Sequence, residues 1–194
     1  VSTLDDFKGK KTRSHSAALS DWIEGMGASA QFVAFAEVYT ALERGILDCG
    51  VTGADASHGQ RWYEVTNYMI GPLISWPFVN NVINAEKWNS IPADLQNILM
   101  EEAAKSELEA LRIGSIQNEM GLIKNQKEGL EFIPFSEAMA DQSLNGAVME
   151  RVVPNWVKRV GSGTHPVITD IFNPKIGPLV GLKIEADGSV TKTK

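Results

Sequence analysis

The first quarter of the chain alternates between two spacings of apolar residues. Apolar positions recur every three to four residues over 17–26 and again over 37–44, which predicts two helices. Short segments at the end of 5–14, at 31–35 and at 46–51 have the composition of strands. The order strand, helix, strand, helix, strand with short connections predicts an α/β fold with a parallel sheet and right-handed crossovers.

The longest helical pattern begins at a start signal formed by Ser90 and Pro92 and continues to Gly129. At 1.5 Å per residue this helix is about 50 Å long, which exceeds the width of a small domain. The helix must therefore bend or connect two bodies, and Gly114 and Gly121 are the positions at which we expect it to be weakest.

The remaining pattern predicts a strand over 131–135 and then a helix capped by Ser136 that continues to Val160. From Gly161 the chain has no helical period and is rich in glycine and proline, which favours irregular structure. The predicted organisation is an α/β ligand-binding lobe over 1–84, a long connecting helix over 85–129, a strand and helix packing back on the lobe or hinge over 130–160, and an irregular tail over 161–194.

Composition excludes several classes of protein. With 194 residues, 43% of them hydrophobic and 22% charged, the chain is typical of folded globular proteins. Its 18 Lys and Arg against 24 Asp and Glu give a net charge of −6, so we expect no nucleic-acid partner. No apolar run approaches the ~20 residues of a membrane span. No secretory signal opens the chain, which leaves a cytoplasmic, a processed and a truncated protein all open.

Candidates for catalysis are few. The three histidines are scattered, and none stands at metal-ligand spacing from carboxylates or from Cys49, so we expect no metal site and no cofactor. Cys49 is the one cysteine, which excludes an internal disulfide. As a nucleophile it would need a positioned base, whereas a small residue in a buried strand explains it without chemistry.

Arg13 is the most informative polar residue, because it closes the first predicted strand on the side where parallel sheets bind ligands. A guanidinium there offers two parallel donors to a carboxylate, and the hydroxyl of Ser16 could support it. An exposed arginine paired with a surface acid is an equally open interpretation. Phe35 is either a wall of the site or part of the core, and Trp76 either lines an apolar pocket or packs between layers.

The segment AEVYTALERGILD, residues 36–48, resembles a signature of the DctP-like substrate-binding proteins of tripartite ATP-independent periplasmic (TRAP) transporters. Further similar segments follow in the order of that family, at 4–13, 27–28, 62–68, 82–88, 92–96 and 129–132. The resemblance covers most of the chain, corresponds to the C-terminal two thirds of the family and fades in the tail.

This resemblance implies the second lobe of a type II periplasmic-binding-protein-like fold, with a parallel-core sheet flanked by helices and a long helix that bridges two lobes. The N-terminal lobe is expected to be absent, by truncation or proteolysis. The implied function is that of a periplasmic, noncatalytic receptor that binds a small organic acid anion and delivers it to the TRAP membrane subunits.

The resemblance also implies roles for individual residues. Arg13 matches the usual partner of the substrate carboxylate, Phe35 an aromatic residue at the ligand, and Thr52 a frequent polar contact. Ser16 stands where some relatives have asparagine, and with Trp76 it completes the expected ligand site. The cation site of the keto-acid branch is not expected, because the position of its acidic ligand is occupied by Val51.

Two other functions remain open at the level of sequence. One is an α/β enzyme that uses Cys49 or His15 with Asp48 as its acidic partner. The other is an interaction module, in which an isolated lobe associates with itself because the apolar surface meant for the other lobe would meet water.

Overall fold

The computed structural model describes residues 3–72 and 80–193. The chain divides into two compact units, which are Val1–Val51 with Tyr68–Ile70 and Phe132–Lys194, and Thr52–Asn67 with Gly71–Glu131. Thr52–Asn67, which the predicted division assigned to the first lobe, thus lies in the unit of the long helix, and the C-terminal third lies in the unit of the first fifty residues.

The described strands are β1 Lys11–Ser14, β2 Ser29–Phe32, β3 Cys49–Gly50, β4 Tyr68–Gly71, β5 Glu131–Pro134, β6 Leu182–Ile184 and β7 Val190–Lys192. The described α-helices are α1 Ala17–Gly25, α2 Val38–Glu43, α3 Ala54–Gly59, α4 Ala85–Asn89, α5 Ala93–Lys127, α6 Glu137–Asp141, α7 Val153–Val160 and α8 Gly177–Val180. Two segments with wider π turns are Gln142–Val152 and Val167–Ile176, and single 3-10 turns form at Leu4–Phe7, Phe35–Glu37 and Trp62–Glu64.

The predicted parallel sheet is present in the first unit, in the order β2, β1, β3. Both neighbours run parallel to β1, with Arg13 opposite Gln31 on one side and Gly50 on the other. The third strand is shorter than predicted, because the backbone N–H groups of Ile46 and Leu47 both donate to the carbonyl of Ala41 and close the turn after α2. This sheet places the carboxyl end of β1 between two neighbouring strand ends.

Helix α1 fixes the segment that follows β1. Ser16 caps it by accepting a hydrogen bond from the backbone N–H of Leu19 at 3.2 Å, and Ile23 buries its apolar face with 1% exposure. The partner of α1 is the π-helical segment Gln142–Val152, and a Cβ on Gly25 would lie 2.5 Å from the backbone of Ala147. Only glycine permits this close approach of the two backbones.

Polar contacts reinforce the same packing. The indole N–H of Trp22 donates to Ser143 at 2.9 Å. Asp21, which is 9% exposed, accepts from Arg159 and from Asn155, each at 2.7 Å. The C-terminal helices therefore hold α1, and with it the end of β1, through an ion pair whose aspartate is buried.

The tail predicted to be irregular is instead folded, so that prediction was wrong. Its segments build a separate hydrophobic core around five buried residues, Val153, Val157, Ile168, Leu182 and Ile184. A short antiparallel hairpin of β6 and β7 closes the core. Val153 and Val157 of this core belong to α7. The sequence pattern missed the contribution of the tail because Ile168 lies in a π-helical segment, which lacks the α-helical period, and Leu182 and Ile184 lie in a strand of only three residues.

In the second unit, α5 runs without interruption for 35 residues, about 52 Å. Gly121 is not a weak point of this helix, because it is the place where α3 packs closest: a Cβ there would lie 2.2 Å from the backbone nitrogen of Asp55. Asn125, fully buried one turn later, donates to the carbonyl of Ala54 at 2.8 Å. Among the described helices, none combines the length and the apolar composition that a membrane crossing needs.

Candidate functional site

The Arg13 side chain lies at the carboxyl end of the middle strand and is 5% exposed. Its Nε donates to the carbonyl of Val33 at 3.1 Å, and its Nη1 donates to the carbonyl of Val51 at 3.0 Å. These carbonyls belong to the residues that follow β2 and β3 directly. The guanidinium is therefore tied to the backbone at both neighbouring strand ends, where open parallel sheets bind ligands.

Phe35 contacts the same guanidinium. The carbon at the centre of the Arg13 guanidinium lies 5.6 Å from the centroid of the Phe35 ring, within the range of a cation–π interaction. The ring belongs to the 3-10 turn Phe35–Glu37, which leads into α2. The turn thus holds an aromatic face against the cation.

The two hydrogen bonds determine how a ligand can approach. Nε is committed to Val33, so the side of the fork that pairs Nε with Nη2 is already engaged. The second hydrogen of Nη1 and the hydrogens of Nη2 remain for other acceptors. The two terminal nitrogens are therefore where a further acceptor could bind.

Arg13 carries a buried charge without a counter-ion in the described part of the chain, where the ion pairs involve other residues. Burial lowers the pKa of its guanidinium, since desolvation penalises the charged form. A guanidinium still holds its proton at neutral pH. Such a buried cation is costly unless an anion compensates it, and a bound anion would supply that compensation.

Hydroxyl groups surround the start of α1. Ser14 is fully buried and donates to the carbonyl of Ser16 at 2.9 Å, and Ser20 donates to Ser14 Oγ at 2.9 Å. The oxygen of Ser16 accepts from Leu19, so its first role is to cap the helix. Its own O–H hydrogen has no acceptor recorded within residues 3–72 and 80–193, which leaves that hydrogen for a ligand.

The other predicted site residues lie elsewhere. Thr52 is half-buried and is the first residue of the second unit. Trp76 lies outside the described residues, so its predicted role stays a prediction. The structure thus brings together Arg13 and Phe35, with Ser16 three residues after the arginine at the start of α1.

The sequence did not reveal the carbonyls of Val33 and Val51 as partners of Arg13. Backbone acceptors leave no mark in residue identity. The available signal was topological, since parallel strands end at one edge and place the residues that follow them together.

The residues of the predicted enzyme alternative do not form a catalytic arrangement. Burial raises the pKa of the Cys49 thiol, which disfavours the reactive thiolate. Asp48 accepts a hydrogen bond from the backbone N–H of Lys11 at 2.8 Å, and His15 is exposed. Within the described residues, no hydrogen bond joins the side chains of Cys49, Asp48 and His15. The described part of the chain also contains no cluster of three or more potential metal ligands.

Comparison with known proteins identifies the family. The model of the bacterial extracellular solute-binding proteins of family 7, DctP, matches residues 1–155. The C4-dicarboxylate-binding periplasmic protein DctP of Rhodobacter capsulatus is 28% identical over 162 residues, which are 82% of this chain and 48% of that protein. The chain thus spans about half the length of the curated relatives it matches.

Solved structures show the same fold. A TRAP periplasmic solute-binding protein from Desulfovibrio salexigens with bound orotic acid matches with a TM-score of 0.67 and 22% identity, over 83% of this chain and 52% of that one. An extracytoplasmic solute receptor from Bordetella pertussis that binds pyroglutamic acid matches with a TM-score of 0.69 and 21% identity, over 83% and 53%. The predicted type II periplasmic-binding-protein-like class is confirmed. The chain belongs to the bacterial extracellular solute-binding proteins of family 7.

Proposed function

We propose that this chain forms the arginine-bearing part of a TRAP-type extracytoplasmic solute receptor, in which Arg13 binds the carboxylate of a small organic acid. The observation that carries the proposal is the buried guanidinium of Arg13, 5% exposed and without an acidic partner among the described residues. Its two hydrogen bonds to Val33 and Val51 fix its position before a ligand arrives. A preorganised cation of this kind binds an anion without paying again for its own ordering.

The geometry suits an anion that presents two oxygens, such as a carboxylate. The two terminal nitrogens of a guanidinium match the spacing of two carboxylate oxygens, which gives parallel charge-assisted hydrogen bonds. Phe35 covers one face of the cation and limits access to the edge of the group. The O–H of Ser16 would add a neutral donor from the start of α1.

The ligands of relatives support the same chemistry. The Rhodobacter capsulatus relative is a C4-dicarboxylate-binding protein, and the two structural neighbours described above bind orotic acid and pyroglutamic acid. All three ligands are carboxylic acids. We extend this class, without choosing a member of it, to the present chain.

Several other features of the receptor belong to the proposal. Thr52 and Trp76 would contribute further contacts to the acid, and the bound ligand would be delivered to TRAP membrane subunits from the periplasm. No nucleic acid, metal or cofactor takes part. Self-association of the isolated chain stays a separate prediction, and size-exclusion chromatography over a series of protein concentrations tests it.

A thermal-shift screen tests the proposal by comparing the Tm of the natural full-length protein with each of a set of organic acids and with the corresponding primary amides. A ligand at about 100 times its Kd adds about 2.7 kcal/mol to stability. For a protein of this size each kcal/mol raises Tm by about 2–4 °C, so a matching acid raises it by about 5–10 °C. The amide, which lacks the negative charge, should give no shift. Equal shifts with acid and amide, or none with any acid, would contradict the proposal.

A further inference from the structure

The folded C-terminal segment carries a surface that the family resemblance does not account for, since the family model ends at residue 155. We call residues 174–180 the C-terminal ridge. Three large apolar side chains on it are exposed to solvent: Ile176 by 42%, Leu179 by 84% and Val180 by 54%. This is a concentrated apolar surface on seven consecutive residues.

The backbone of the ridge packs closely on the strand beneath it. Gly177, in its middle, is buried, and a Cβ there would lie 2.4 Å from the carbonyl oxygen of Leu182 on β6. The N–H of Thr193 donates to the carbonyl of Gly181 at 2.9 Å, which ties the end of the ridge to the last described residues. The exposed side chains are therefore presented by a supported backbone.

The charged residues are unevenly distributed between the first 150 residues and the C-terminal segment that contains the ridge. Residues 1–150 contain 11 Lys and Arg against 21 Asp and Glu, a net charge of −10. Residues 151–194 contain seven against three, a net charge of +4. A protein that is acidic as a whole thus carries its basic excess in the segment that holds the ridge.

Part of that positive charge is neutralised by ion pairs within the fold, beside the ridge as well as on α1. Arg151 and Arg159 pair with acids on α1. Lys175, on the ridge itself, forms no ion pair with any residue in the described ranges, and the ridge contains no Asp or Glu. Lys183 pairs with Glu185 and lines a shallow depression next to Pro178 of the ridge.

We propose that the C-terminal ridge is a docking surface for an anionic phospholipid bilayer. Exposed apolar side chains that enter the headgroup region, flanked by lysines that attract anionic lipid, are the two elements of interfacial binding. A second protein is a poorer match, since a stable interface takes about 20–30 residues a side and the ridge offers seven.

Co-sedimentation with vesicles tests this inference. The whole chain is mixed with vesicles of phosphatidylcholine alone and of phosphatidylcholine with 30% phosphatidylglycerol. We expect binding to the anionic vesicles only, and a decline in that binding as NaCl rises from 50 to 500 mM. Leu179→Asp and Lys175→Glu should each lower the partition coefficient by about tenfold or more.

Two matched variants serve as controls away from the ridge. Leu111→Asp changes a residue that is 76% exposed on α5, and Lys87→Glu reverses an exposed lysine on α4; both should bind within about twofold of the wild type. Equal binding to neutral and anionic vesicles overturns the inference, as does an equal loss in the control variants. A ridge variant that changes the mass by light scattering but not vesicle binding overturns it in favour of a second copy of the chain.

Discussion

Replacing Arg13 with methionine should abolish acid binding while leaving the fold intact. Three N–H groups on Nη1 and Nη2 remain for a carboxylate, and a hydrogen bond to a charged group contributes about 1.5–3 kcal/mol. Loss of two such bonds is about 3–6 kcal/mol. At 1.4 kcal/mol per factor of ten, Kd rises by roughly 10²–10⁴.

The same substitution has opposing effects on stability. Methionine removes a buried charge that costs several kcal/mol to desolvate. It also leaves the carbonyls of Val33 and Val51 without their donor, at about 1–3 kcal/mol each. These effects offset each other, so we expect Tm to stay within a few degrees of the wild type. Arg13→Lys keeps a point charge and loses the fork, which should weaken binding by about tenfold to a hundredfold.

Isothermal titration calorimetry with an acid identified by the thermal-shift screen measures these affinities. Arg44→Met is the matched control, since Arg44 is an exposed arginine at the end of α2 in the same unit. Its affinity should equal that of the wild type. If Arg13→Met remains folded and binds within fivefold of the wild type, the assignment of the carboxylate to Arg13 is wrong.

Three further predictions concern stability and reactivity. Gly121→Ala places a Cβ 2.2 Å from a backbone nitrogen of α3 and should lower the free energy of unfolding by about 1–3 kcal/mol. Gly114→Ala, in open space on the same helix, should raise it by up to about 1 kcal/mol, and equal values for the two variants in thermal denaturation would contradict the packing. Asp21→Ala leaves Arg159 and Asn155 without their partly buried acceptor and should lower the free energy of unfolding by about 2–3 kcal/mol. Glu24→Ala, at a more exposed pair, should lower it by less than about 1 kcal/mol, and the reverse order in urea denaturation would refute this. Because burial raises the pKa of the Cys49 thiol, iodoacetamide at pH 8 should modify it more slowly than free cysteine and faster as pH rises; faster modification than free cysteine at pH 8 would refute that direction.

Local patterns predicted the part of the fold that presents Arg13. The helical spacing over 17–26 and the cap at Ser16 are encoded within a few residues, and α1 spans Ala17–Gly25. The succession of short strands and helices predicted a parallel sheet, and the parallel pairing of β1 with β2 and β3 confirms it. The position of Arg13 at the end of a strand follows from the same pattern.

The immediate surroundings of Arg13 could not be predicted in this way. Its two backbone partners lie 20 and 38 residues further along the chain, and a carbonyl has no sequence signature. Gly121 was interpreted as a weak point of α5 because a glycine lowers helix propensity, whereas the close contact it permits with α3 depends on tertiary packing. The C-terminal core likewise depends on contacts between separate elements, one of them a π-helical segment without the α-helical period and one a three-residue strand.

A crystal structure of the natural protein with its tightest-binding organic acid tests the central claim most directly. We expect one carboxylate oxygen about 2.7–2.9 Å from each terminal nitrogen of Arg13, with the bonds to Val33 and Val51 retained. The carboxylate should lie at the edge of the guanidinium that Phe35 leaves open. An acid bound with its carboxylate on another cation, and Arg13 without a ligand contact, would contradict the account.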